Sequence, residues 1–210
     1  INWALQPAPV TLPLNAELRN MLVFKDEILL LHNGTDLYQS ADGINWGKNR
    51  ITADENYNYR TLLFGFKNKL WAIAQHKTNN SVRIAASTDG KTWILTEKRS
   101  FSNFPVSDFA VTTFKPSLGR EKVIVSGGVD ASGRVLNTRW SAEDVMGVDT
   151  LYWVNLQHKT FKMDPVKKAG TAYYGSKLLM IGGSNLIDNT VDGKEQLLQS
   201  IDEGLTFAVP

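Results

Sequence analysis

Three stretches of the chain follow one formula: "QSADGINW" at 39–46, "ASTDGKTW" at 86–93 and "QSIDEGLTF" at 199–207. Each joins Ser-x-Asp to a glycine and then to a large aromatic ring. A formula recurring at a fixed period restricts a fold more than composition does, because a repeated unit must stack on its neighbours to bury its apolar face. Ser40 and Ser87 lie 47 residues apart. A degenerate copy, "SAEDVMGVDTLYW", starts at Ser141, 54 residues further on, with an insertion before Trp153. Ser200 follows 59 residues after that.

Short apolar runs precede each copy. The first unit has "NMLVF", "ILLL" and "DLYQS"; the second has "TLLFGF", "LWAIA" and "VRIAAS". The third has "FAVTTF", "KVIVSGG" and "VLNTRWS"; the fourth has "TAYYG", "KLLMIGG" and "EQLLQS". Runs of β-branched and aromatic residues bounded by Gly, Asn and Lys read as strands. No segment carries a 3.6-residue apolar period, so little or no helix is expected. Four strands per unit and four units at about 50 residues predict an all-β protein, a β-propeller of four-stranded antiparallel blades.

The formula falls between the third and fourth strands of a unit. Asp42, Asp89 and Asp202 can accept hydrogen bonds from N–H groups two residues on and close a turn. Gly43, Gly90 and Gly204 can take the positive φ of a tight hairpin. The hydroxyls of Ser40, Ser87, Ser141 and Ser200 are expected to tie the turn to the adjoining strand. Trp46, Trp93, Trp153 and Phe207 are expected to start the fourth strand and bury a ring whose truncation would cost about 3–5 kcal/mol.

These residues resemble the Asp box, Ser-x-Asp-x-Gly-x-x-Trp, of sialidases and other secreted propellers (the BNR repeat). "SIDEGLTF" fits the full form with Phe for Trp; "SADGINW" and "STDGKTW" fit a form one residue shorter. That resemblance implies a structural hairpin, away from any central site. The second half of the chain also resembles kelch-type propellers, the class of the galactose oxidase barrel. It does so through "VIVSGG", "VLNTRWS", "LYWVNL" and "LLMIGG", with glycine doublets at 127–128 and 182–183. The combination is similar to uncharacterised propeller domains of Bacteroidetes surface proteins.

One propeller domain is read over residues 1–210, with units at about 7–46, 47–94, 95–154 and 155–210. "INWALQ" at 1–6 repeats the "INW" of 44–46 and reads as the last strand of a preceding blade. One strand plus four units of four leaves a strand over, so a larger ring of about six to eight blades is expected. A compact four-bladed body with an extra edge strand is the alternative.

Among propeller connections, strands one to two and three to four turn on one face. The two-to-three and blade-to-blade connections lie on the other, and here they are long: 47–60, from His76, 127–134 and 182–194. Long loops on a rigid scaffold are where recognition usually sits. Tyr57, Tyr59, Arg60, His76, Arg134, Asn185 and Asp188 are therefore the candidate binding residues.

The chemistry is bounded by what the chain holds. With no cysteine, there is no disulfide, thiolate metal site or galactose-oxidase-type copper site. His32, His76 and His158 fit no ligand spacing, and "DNTVDG" lacks the closing glutamate of a calcium loop, so no metal and no cofactor is expected. A balance of 23 basic against 21 acidic residues predicts no nucleic-acid partner, and no apolar run is long enough to insert in a membrane. "NGT" and "NNS" are glycosylation sequons only in a eukaryotic secretory setting. The start at Ile1 reads as a mature or truncated product, with any signal out of view and further blades expected in the same polypeptide.

Two functions follow. The first is a non-catalytic, extracytoplasmic module that binds a glycan or a protein through the long-loop face. The second is a sialidase-like glycoside hydrolase with an incomplete visible site, using Tyr57 or Tyr59 beside Glu55 and drawing on arginines at 19, 50, 60, 83, 99, 120, 134 and 139. Nothing in their spacing marks a cluster.

Overall fold

A computed structural model describes residues 21–32, 34–59, 64–96, 104–115, 120–143, 151–156, 167–174, 176–184 and 197–201. These form four antiparallel sheets arranged as a β-propeller, with no helix among the described residues. The first sheet is β1 (Met21–Phe24), β2 (Glu27–His32), β3 (Asp36–Ser40) and β4 (Gly47–Arg50), hydrogen-bonded in that order. The second has an inner strand in two pieces, β5 (Tyr57–Asn58) and β6 (Phe64–Phe66). Both pair with β7 (Lys69–His76), followed by β8 (Val82–Ser87) and β9 (Ile94–Leu95). The third runs β10 (Ala110–Phe114), β11 (Lys122–Ser126), β12 (Arg139–Glu143) and β13 (Tyr152–Asn155). The fourth is β14 (Gly170–Tyr174), β15 (Lys177–Ile181) and β16 (Leu197–Ser200).

The tight turns follow from backbone chirality. Lys25-Asp26 and Lys67-Asn68 sit at φ 49, 62, 54 and 56°, the consecutive positive values of a type I′ hairpin. That turn's twist matches the strands it joins. The predicted loop at 47–60 is partly strand: Gly47–Arg50 closes the first sheet and Tyr57–Asn58 opens the second.

Side-chain alternation gives each sheet two apolar faces, and adjacent sheets stack through them. Between sheets one and two lie Leu29, Leu31, Leu37, Tyr59, Leu70, Ala72 and Ala85. Between two and three lie Trp71, Ile73, Ile84, Phe104, Val123, Val125, Trp140 and Trp153. Phe104 meets Trp153 edge-on at 5.1 Å and Trp140 at 5.2 Å. Between three and four lie Phe114, Ile124, Leu178, Met180 and Leu198. The Thr112 Oγ1 also donates to the Thr171 Oγ1 across that junction at 2.5 Å.

Register corrects one alignment. Ser40, Ser87 and Ser200 each end their strand, opposite Ile28, Leu70 and Leu178. In the third sheet the equivalent of those partners is Val123, and it faces Ala142, not Ser141. Ser141 sits mid-strand opposite Val154, so it closes no corner. The third strand runs on to Glu143 before the long insertion, which displaces the serine by one position. Trp153 lies inside β13, buried, with no hydrogen-bond partner for its Nε1 among the described residues.

Candidate functional site

The acidic corners are the first candidate for chemistry, and the bonds of their serines and aspartates stay within each turn. Asp42 Oδ1 accepts the N–H groups of Ile44 and Asn45 at 2.8 Å each, and its Oδ2 accepts the Asn45 side-chain amide at 2.8 Å. Ser40 donates to Asp42 Oδ1 at 3.0 Å and accepts from the Asp42 and Gly43 N–H groups. The second corner repeats this with Lys91 and Thr92 on Asp89, and Ser87 bonded to Asp89 and Gly90. Each serine is the last residue of its strand, so its hydroxyl ties the turn to the strand that enters it. Gly43 and Gly90 stand at φ 74 and 73°.

Trp46 and Trp93 belong to these corners, because each indole N–H donates back to the glycine carbonyl at 3.1 Å. The strands start one residue later, at Gly47 and Ile94. Trp93 is buried and Trp46 half-buried. The N–H donors of Asn45, with its amide, and of Ile44 hold Asp42 well below the usual carboxylate range. Those of Thr92 and Lys91 lower Asp89 to about 2. Bonds from N–H groups favour the ionised form, so these carboxylates act as turn staples and resist taking up a proton. Asp202, Gly204 and Phe207 lie outside the described residues, as do residues 1–6.

The second candidate is a cleft of about 300 Å³ between the first two sheets, lined by Thr35, Arg50, Ile51, Thr52, Asp54, Glu55, Tyr57, Tyr59 and Lys77. Thr35 comes from the two-to-three connection of sheet one, 51–56 from the inter-sheet connection, and Lys77 from the two-to-three connection of sheet two. The cleft therefore opens on the long-loop face. The opposite face carries the corners, where Lys25 Nζ joins the first hairpin to the Thr88 carbonyl at 2.9 Å.

Backbone bonds shape the cleft: Ile51 N–H to the Thr35 carbonyl, Tyr59 N–H to the Gly34 carbonyl and Lys77 N–H to the Asn56 carbonyl, at 2.8–2.9 Å. The Lys77 ammonium reaches the Glu55 carbonyl at 2.6 Å. No described residue pairs with the Arg50 guanidinium or the Glu55 carboxylate through a side chain.

The predicted site residues divide. Tyr57 and Tyr59 line this cleft but are 7% and 1% exposed, so they are core residues and not loop-tip contacts. Tyr59 Oη accepts the Asp54 N–H at 2.9 Å and donates to the Asp54 carbonyl at 3.1 Å; burial pushes its phenol up. Tyr57 is flanked by the His76 ring edge at 5.0 Å and the Arg83 guanidinium at 5.7 Å. His76 ends β7, and its Nδ1 accepts from the Thr78 N–H at 3.2 Å, fastening its own turn.

Arg134 lies in a different loop, paired to Asp130 at 3.0 Å. Asp130 is raised by burial but lowered more by bonds from Ser132 and Arg134, so it stays ionised. Arg60, Asn185 and Asp188 lie outside the described residues. Thr35, Asp54 and Lys77 were not singled out from the sequence, and Arg50 was named only as one of the eight arginines of the hydrolase reading. Their signal was positional: three connections of adjacent blades converge on one face. Among the described residues no three His, Asp or Glu side chains gather as a metal site.

A family model described as the DUF6242 beta propeller domain matches residues 2–208. The chain belongs to this family. No curated protein matches this DUF6242 propeller by sequence. Similar solved structures include a thermostable family-43 glycoside hydrolase, at TM-score 0.54 and 10% identity, covering 90% of this chain and 70% of that one. YjhT is similar at TM-score 0.58 and 10% identity, covering 85% and 66%. A Bombyx mori GH32 β-fructofuranosidase mutant in complex with sucrose is similar at 0.52 and 13%, covering 90% and 49%. At such identities the DUF6242 propeller shares with them a fold.

Proposed function

We propose that this propeller is a non-catalytic binding module, acting outside the cytoplasm, that recognises a carbohydrate in the cleft between its first two sheets. The observation that carries the reading is the cleft itself: it brings the charged residues Arg50 and Glu55 together with the aromatic Tyr57. Polar groups converging beside an aromatic edge suit sugar hydroxyls and C–H faces together. The carbohydrate-active names among the similar structures agree with a sugar ligand at the level of fold.

A sialidase-like reaction would need an accessible, activated tyrosine. Tyr59 is buried and bonded at its hydroxyl to backbone, and Tyr57 is buried, with an edge contact to His76 and the Arg83 guanidinium over its ring. The described arginines are spread over separate strands and loops: Arg83 stacks on Tyr57, Arg134 pairs with Asp130, and Arg139 is buried in the third sheet.

A glycan array followed by calorimetry on the strongest binder tests this. Arg50→Ala and Glu55→Gln should each weaken binding about tenfold, the scale of one lost charged hydrogen bond. Binding unchanged in both variants would remove the cleft. Turnover of a fluorogenic sialoside that disappears in Tyr57→Phe would establish the hydrolase instead.

A further inference from the structure

Each sheet turns one face toward the sheet before it and one toward the sheet after, and equivalent positions can be compared. On the second strands, the positions facing the following sheet are Leu29 and Leu31, then Trp71 and Ile73, then Ile124 and Ser126, all at most 2% exposed. On the third strands the corresponding positions are Leu37, Ile84 and Arg139, also at most 2% exposed. In the fourth sheet the same positions hold Leu179, which is half-buried, Ile181 at 55% and Leu197 at 43%. Ile181 and Leu197 are direct cross-strand partners, and Tyr174, 80% exposed, lies on the same face of the inner strand. The first sheet shows the complementary condition on its backward face. Met21 and Val23 of its inner strand are 47% and 71% exposed, while Leu30 and Tyr38 farther out are buried.

We infer that the forward face of the fourth sheet is the docking surface for a further antiparallel sheet of this propeller, borne by the same natural polypeptide outside these 210 residues. The occupant is identified by the repeat. Three junctions in the chain already stack a forward face of this pattern on a backward face, each through buried apolar residues from the second and third strands. The exposed row on β15 and β16 is that same half of a junction. This chain spans 70% and 66% of two of the similar solved structures, so the same fold occurs there in longer chains. An apolar row open to water is costly, and covering it with a sheet of the same register removes that cost without any new kind of contact.

Hydroxyl-radical footprinting read by mass spectrometry tests this on the natural full-length polypeptide and on residues 1–210 alone. Oxidation of Tyr174, Ile181 and Leu197 should fall several-fold in the full-length polypeptide. Ile94, 61% exposed on the outer edge of the second sheet, should be equally reactive in both and serves as the control. Unchanged oxidation of Tyr174 and Ile181 in the full-length polypeptide would overturn the inference. So would a dimer of residues 1–210, by light scattering, in which those residues are already protected, because the surface would then belong to a second copy. Neither readout depends on carbohydrate binding, so the cleft and the docking surface stand or fall separately.

Discussion

At the scale of single residues, the acidic corners set how the protein responds to acid. Asp89 is lowered from its ordinary 3.8 to about 2 by the Thr92 and Lys91 N–H groups, and Asp42 moves the same way. A carboxyl with a depressed folded-state value contributes stability that is fully present above its unfolded value and is lost as pH falls through the folded one. Urea midpoints should therefore hold steady above about pH 4 and decline from there through pH 2. Asp89→Asn, which keeps the shape of the corner but not its charge, should show a shallower decline across that window. An identical decline in the variant would mean that acid acts elsewhere. This part of the molecule was legible in the sequence, because aspartate, glycine and serine at fixed offsets have few other ways to bond. The indole that folds back on its own turn was not: the residue spacing is the same whether Trp46 begins a strand or ends a corner.

Among the elements, the glycine doublets of the second half show what spacing alone leaves open. Gly127-Gly128 and Gly182-Gly183 all take positive φ, just after β11 and β15. In both sheets this bends the chain into a bridge with the segment before the inner strand, Ser107 to Val129 and Lys167 to Ser184. A methyl group at Gly128 would meet the Ser107 carbonyl oxygen at 2.7 Å and the Phe109 and Pro105 Cβ atoms at 2.8 and 2.9 Å. At Gly133, also at positive φ, it would meet nothing within 4 Å. Gly133→Ala should cost only the left-handed strain, about 1–2 kcal/mol. Gly128→Ala should cost clearly more, since backbone and Cβ atoms must move; chemical denaturation of the pair measures the difference.

The strands were readable from their apolar alternation. The placement of Tyr57 and Tyr59 was not, because "NYNYR" looks like loop until its pairing with β7 is known. The same holds for Ser141, since a register shift of one residue leaves no trace in the spacing.

On the scale of the whole molecule, each described sheet packs chiefly on its sequence neighbours, so stability is close to a sum of nearest-neighbour junctions. Phe104 fills the second of these, against Trp140 and Trp153. Phe104→Ala should cost about 3–5 kcal/mol at that junction. Hydrogen exchange should then quicken in β5–β9 and β10–β13 more than in β1–β4 and β14–β16. Uniform quickening would show that the sheets unfold as one unit.

The corners follow a different rule. Every bond that closes the turn from Ser40 to Trp46 starts and ends inside those seven residues. A copy of such a segment arrives with its closing bonds complete, wherever a duplication inserts it, and only the burial of its ring depends on the neighbouring sheet. A propeller with corners of this kind can gain or lose repeats by recombination, with selection left to act only on the faces between them.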